Sequence, residues 1–178
     1  MAAAKPKMNT SYKKATHGNT TKCSRKPSSG IITHIVVHET GSLASAKNNC
    51  IYFDREGAAT NASADFFIDL DGTIWQYNAI EKAYSWHCGD GHGEYGITNR
   101  RSVGIEVVCN GSTYTDRQKA ALGKLVKWLM ARYDVPKAHV VRHYDASRKL
   151  CPSYYAGAAN TAKGKRWTAL RNQITKEV

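Results

Sequence analysis

No stretch of this chain approaches the ~20 consecutive apolar residues that a membrane-crossing helix needs. Its N-terminus, MAAAKPKMNTSYKK, also lacks the apolar core of a secretory signal. Paired cysteine spacing is missing too. Cys23, Cys50, Cys88, Cys109 and Cys151 include no C-x-x-C, which removes zinc ribbons and thioredoxin-type redox sites. Five cysteines cannot all pair within one chain, and we read the first four as buried or free thiols. Acidic residues are scarce: 14 Asp and Glu face 26 Lys and Arg, a formal net charge of +12. That surplus favours polyanionic partners such as nucleic acid, an anionic membrane or an acidic wall polymer, and is silent about fold.

What is present fits one domain. The 178 residues are 42% apolar, enough for a core, and 22% charged, which argues against wholesale disorder. Residues 1–30 carry seven Lys and Arg and no acid, and read as a basic arm, extended or poorly ordered. The domain proper is expected over residues 31–178.

IITHIVVH, Ile31 to His38, is β-branched and reads as a buried strand. Ala44–Glu56 has the composition of a helix. The runs Ala64–Asp69 and Thr73–Tyr77 flank Leu70-Asp71-Gly72, and Asp-Gly there predicts a hairpin. Ala83–Asn99 is a long Gly-, His- and aromatic-rich stretch, and long loops in compact domains tend to be functional. Ser102–Cys109 predicts another strand.

Thr115 and Gln118 form a capping box at the head of a helix ending at Tyr133. Ala121, Leu122, Leu125, Val126, Leu129 and Tyr133 make its apolar face. His139–His143 predicts a short strand, and Trp167–Glu177 a terminal helix. Strands alternate with helices, but the hairpin breaks a purely parallel order. The expected fold is α/β, a mixed sheet with helices packed on it.

In VVRHYDASRKLCP, Val140 to Pro152, His143, Lys149 and Cys151 lie within nine residues. Zinc takes His nitrogen and Cys sulfur, and a catalytic site commonly uses three protein ligands. A second histidine must then come from elsewhere. Two pairs, His34/His38 and His139/His143, are spaced i, i+4. In a strand that spacing covers roughly 13 Å, so one member of each pair at most can ligate. Sites in α/β sheets lie at strand ends, which favours His38 and His143 and leaves His34 and His139 as structural histidines.

Glu106 stands in VGIEVV, where alternation sets Val103, Ile105 and Val107 against Gly104, Glu106 and Val108. A carboxylate in an apolar strand needs compensation. Either it faces solvent on an edge, or a nearby metal site compensates it and gives it work as a general base. Lys149 reads as a solvated lysine or as a cation beside the metal.

The blocks ITHIVVHET, SADFFIDLDGTIWQ, AYSWHCGDG, NRRSVGIEV and VVRHYDASRKLCP follow one another in an order that resembles the zinc-dependent N-acetylmuramoyl-L-alanine amidases. This is the family related to peptidoglycan recognition proteins and to many phage endolysins. The resemblance runs from about Ile31 to Tyr155, and H-Y-D followed by K-x-C-P is its most specific part.

It implies one Zn2+ ion held by His38, His143 and Cys151 in a surface groove of a single α/β domain. It makes Glu106 the residue that activates the attacking water and gives Lys149 the tetrahedral intermediate to stabilise. It places Thr40, Trp86, His87 and Asn99 along the substrate groove. Many relatives carry His or Tyr near SADFF, where this chain has Ser63, Ala64 and Asp65, which raises the weight on Glu106.

The implied reaction cleaves the amide between N-acetylmuramic acid and the L-alanine of the stem peptide. The implied partner is bacterial peptidoglycan, with no specific nucleic acid. We expect a monomer made in a host cytoplasm without a signal peptide and released to the wall by a holin, or a secreted form that has lost its signal. Two competing functions are a non-catalytic peptidoglycan-binding module of the same fold, whose signature would be loss of the cysteine ligand, and a basic nucleic-acid-binding protein.

Overall fold

Strand β2 (His34–Glu39) is an interior strand, second from one edge, of a five-stranded sheet. This computed structural model describes residues 3–176. The sheet order is β4 (Ile74–Gln76), β3 (Phe66–Ile68), β6 (Ser102–Val107), β2, β7 (Val140–Arg142). Strands β3, β6, β2 and β7 run parallel, and β4 returns antiparallel to β3 through the expected hairpin. Its turn closes with Gly72 N–H donating to Asp69 O, and Gly72 has a φ of +86°. The expected mixed α/β sheet is therefore observed.

The alternation in β6 sorts side chains as its sequence requires. Val103, Ile105 and Val107 join Ile35, Val37, Phe66 and Ile68 in the larger core cluster. Helix α2 (Asp116–Tyr133) covers that face, and helix α4 (Ala162–Ile174) packs on α2. The capping box is formed: Thr115 Oγ1 accepts from Gln118 N–H, and Gln118 Oε1 accepts from Thr115 N–H. All six residues of the expected apolar face are buried.

The opposite face meets helix α1 (Ala46–Glu56), through Ala46 and Cys50 against Phe67 and Tyr77. After β2 the chain thus turns to one face, and after β6 to the other. The crevice at the carboxyl ends of β2 and β6 is a topological switch point, where α/β sheets bind ligands.

Residues 9–25 are more tightly fastened than a loose arm. Asn9 pairs with the free edge of β4, donating to Ile74 O at 2.8 Å and accepting from Gln76 N–H at 2.9 Å. Lys14 repeats this at Tyr77 and Ala79. Strand β1 (Thr20–Lys22) pairs antiparallel with β5 (Ala83–Ser85).

Arg25 is wholly buried. Its guanidinium donates to the carbonyls of Ile80, Ala83, Asn99, Arg100 and Ser102, and lies 3.6 Å from the buried Asp65 carboxylate. Backbone pairing and one arginine hold a segment that has no apolar periodicity to announce it.

Candidate metal and catalytic site

His38 and Glu106 face each other in register across β2 and β6, and Phe67 is the next residue in register on β3. Residues paired in this way point to the same side, here the side away from α2. His38 Nδ1 lies 4.0 Å from Glu106 Oε1.

His143 arrives differently from expectation. Strand β7 ends at Arg142, and His143 is the first residue of a short helix, α3 (His143–Ser147). Asp145 anchors that turn by accepting from the Arg142 backbone N–H and guanidinium. Arg142 also donates to Tyr155 O and Gly157 O. Tyr144 N–H donates to Cys151 O at 2.9 Å, so the His143 and Cys151 segments are held together directly.

The result is a convergence. His38 Nδ1 and His143 Nδ1 are 3.1 Å apart, and Cys151 Sγ is 3.9 Å from His38 Nδ1. One ligand atom from each of the three residues lies within 4.8 Å of the others, and all three residues are buried. Burial, aided by the neighbouring histidines, holds His38 well below the usual histidine range. Burial lowers His143 as well, against the opposing pull of Asp90. Neutral imidazoles are ligands; imidazolium ions are not.

Both outer nitrogens are occupied: His38 Nε2 by His87 Nδ1 at 3.0 Å, His143 Nε2 by an Asp90 carboxylate oxygen at 2.7 Å. Bonds of ~2.0–2.1 Å to nitrogen and ~2.3 Å to sulfur in a tetrahedron set ligand atoms roughly 3.3–3.6 Å apart. The observed 3.1 and 3.9 Å bracket that range. The donor set and its spacing fit a zinc ion.

Cys151 Sγ accepts from Glu39 N–H at 3.4 Å. Burial raises its thiol pKa, with Glu106 adding to the rise. A bound cation reverses that balance and favours the thiolate. Burial also lifts the Glu106 carboxyl to about 8, against the charge of Lys149. Its side chain keeps 18% exposure, yet Oε2 is buried with no partner among the described residues. Lys149 is exposed, and its charge acts on Glu106, His38, His143 and Cys151 together. The link between Lys149 and Cys151 is a tight turn, with Cys151 N–H on Lys149 O at 2.7 Å.

The expected groove residues are placed as follows. Thr40 Oγ1 bonds Ser42 O and accepts from Cys109 N–H. Trp86 is half-buried, with its indole N–H on Thr21 Oγ1. Asn99 Oδ1 accepts from the backbone N–H groups of His87 and Cys88. His87 is buried, with both ring nitrogens already engaged by protein atoms. Ser63, Ala64 and Asp65 are all buried, and Asp65 is bound to Asn78, Gly104 and Arg25.

Asp90, Glu39 and Arg25 escaped the reading of the sequence. Only Asp90 carried a signal, through its place in the Gly- and His-rich loop.

Residues 28–154 match the family described as N-acetylmuramoyl-L-alanine amidase. The chain is 34% identical over 120 residues to the amidase XlyA of Bacillus subtilis (strain 168), covering 67% of this chain and 39% of that protein. It is 32% identical over 122 residues to CwlH of the same strain, covering 67% and 46%. The chain thus spans less than half the length of these curated relatives.

Among solved structures, the catalytic domain of XlyA aligns with a TM-score of 0.73 at 25% identity, over 95% of this chain and 99% of that one. The PlyG catalytic domain aligns at 0.70 and 25%, over 95% and 93%. PlyL aligns at 0.68 and 25%, over 88% and 89%.

Proposed function

The chain belongs to the N-acetylmuramoyl-L-alanine amidase family, and on that premise we propose that it hydrolyses the amide joining N-acetylmuramic acid to L-alanine in peptidoglycan. The observation that carries this reading is the meeting of His38 Nδ1, His143 Nδ1 and Cys151 Sγ beside the Glu106 carboxylate. We assign the three as ligands of one zinc ion. Zinc, when bound, supplies a Lewis acid that makes water more acidic and the scissile carbonyl more electrophilic.

Glu106 is the general base. It takes a proton from the attacking water and returns it to the departing L-alanine nitrogen, so water is consumed and a carboxylic acid and an amine result. Two features suit it to the role: a carboxyl raised by burial, whose ionised form is a stronger base than an ordinary carboxylate, and Oε1 lying 4.0 Å from His38 Nδ1. Lys149 supplies positive charge where the carbonyl oxygen becomes negative. Thr40 and Trp86 line the groove for sugar and peptide, and Asn99 holds the loop that carries Trp86, His87 and Cys88.

We place the enzyme at the bacterial wall, acting as a monomer after holin-type release from the host cytoplasm. Among the described residues no helix is long and apolar enough to cross a membrane.

Digestion of purified peptidoglycan by wild type, Glu106→Ala and Cys151→Ser, read by mass spectrometry with zinc quantified on each protein, tests the proposal. Wild type is expected to free stem peptides with a new L-alanine amino terminus. Glu106→Ala keeps zinc and loses turnover, and Cys151→Ser loses both. A wild type that holds no zinc and releases nothing from any wall overturns it.

A further inference from the structure

We propose that His87 is a positioning residue that sets the tautomer of His38, and thereby aims the His38 lone pair at the metal site, without touching substrate itself. The inference rests on the metal-site reading above.

It starts two hydrogen bonds away, at Ser102. The Ser102 hydroxyl donates to Thr98 O at 2.7 Å, and a serine has one proton to give. His87 Nε2 lies 3.0 Å from the same Ser102 oxygen, so it must carry the hydrogen and donate. A neutral imidazole protonated at Nε2 has a bare Nδ1. His38 Nε2 stands 3.0 Å from that bare nitrogen and supplies the hydrogen between them. His38 Nδ1 is then left with its lone pair, directed at His143 Nδ1 and Cys151 Sγ.

His143 reaches the same state by a simpler route. Its Nε2–H donates to the Asp90 carboxylate, which is an acceptor only. Two buried lone pairs facing each other at 3.1 Å repel unless a cation lies between them.

The fold builds a seat for the relay. A Cβ on Gly104 would fall 2.5 Å from His87 Cγ, so the glycine in the middle of β6 makes room for the ring. Asn99 clamps the His87 backbone N–H, and Arg25 holds the carbonyl of Ser102 at 2.6 Å. The ring planes of His38 and His87 meet at 89°, an edge-on approach that suits an N–H donor reaching an in-plane lone pair.

Long-range proton–nitrogen spectra of the 15N-labelled, metal-free protein read the tautomers, and competition with a chromophoric chelator reads zinc affinity. Wild type is expected to show His38 and His87 each protonated at Nε2. His87→Leu removes the acceptor, leaves His38 in mixed tautomers and weakens zinc binding 10–100-fold. His87→Gln offers an acceptor and a donor in one side chain and keeps affinity within a few-fold.

Ser102→Ala frees His87 to take the other tautomer. It should therefore weaken zinc binding although it lies two hydrogen bonds from the metal, in a substitution small enough to fold. If metal-free wild type carries its His38 proton on Nδ1, or if His87→Leu and Ser102→Ala both bind zinc like wild type, the relay is wrong. A wild type that binds no zinc yet shows the expected tautomers removes the metal reading and keeps the relay.

Discussion

His38 and His143, 105 residues apart in the chain, present the same ring nitrogen to each other at 3.1 Å. Parallel pairing of β2 and β7 brings their segments side by side, and Asp90 and His87 turn the rings from behind. With the tautomers proposed above, both facing nitrogens are unprotonated, the arrangement expected of a pair of metal ligands.

Metal removal should destabilise the domain. A ligand at 100 times its Kd stabilises the native state by about 2.7 kcal/mol, which is roughly 5–10 °C in Tm for a chain of this size. Calorimetry with and without a strong chelator, followed by zinc add-back, measures it. An unchanged melting temperature counts against the site.

Glu106→Gln should keep zinc and fold, and lower kcat by ~10²–10⁴-fold, the usual worth of a general base. Lys149→Met should lower kcat by ~10²–10³-fold with zinc content intact. Equal losses in zinc content and rate would show that these residues hold the site together and do no chemistry.

Arg25→Met should cost about 3–5 kcal/mol, because it strands the buried Asp65 carboxylate and takes the donor from five carbonyls. Arg25→Met with Asp65→Asn should recover part of the loss. Urea unfolding of the single and double variants decides it, and no recovery means that Asp65 is not the partner that matters.

Acid should weaken the fold through His34 as well as through its carboxylates. Burial, then His139 stacked at 4.4 Å, then Arg101 hold His34 down at about 4. The unfolded value is about 6.5, so the native state binds fewer protons in this window. The contribution is complete above pH ~6.5 and is lost as pH falls towards ~4. Because the ring is half-buried, solvent screening reduces it to on the order of 1 kcal/mol. His34→Gln should flatten the Tm profile between those two pH values by ~2–4 °C. A profile parallel to wild type refutes the assignment.

The strands, the capped helix and the hairpin were legible because apolar alternation and turn chemistry act locally. His38, His143 and Cys151 stood out as zinc-type residues at strand ends or in adjoining loops, in an order that resembles a family. What lay hidden depended on space, not on pattern. Nothing near His87 says that it faces His38, because the contact exists only where Gly104 leaves room. Arg25 read as one charge in a basic arm, since the carbonyls that satisfy it come from two distant segments. The arm itself pairs through backbone atoms, which every sequence supplies alike.

That fastening has a practical side. The family match begins at residue 28, yet Asn9, Lys14 and Arg25 close a sheet edge and neutralise a buried acid. Anyone transplanting this domain into a fusion should treat residues 9–25 as part of it. Trimmed at the boundary of recognisable similarity, it would present β4 as an open template for neighbouring copies, and the fusion would fail by clumping before its chemistry could be judged.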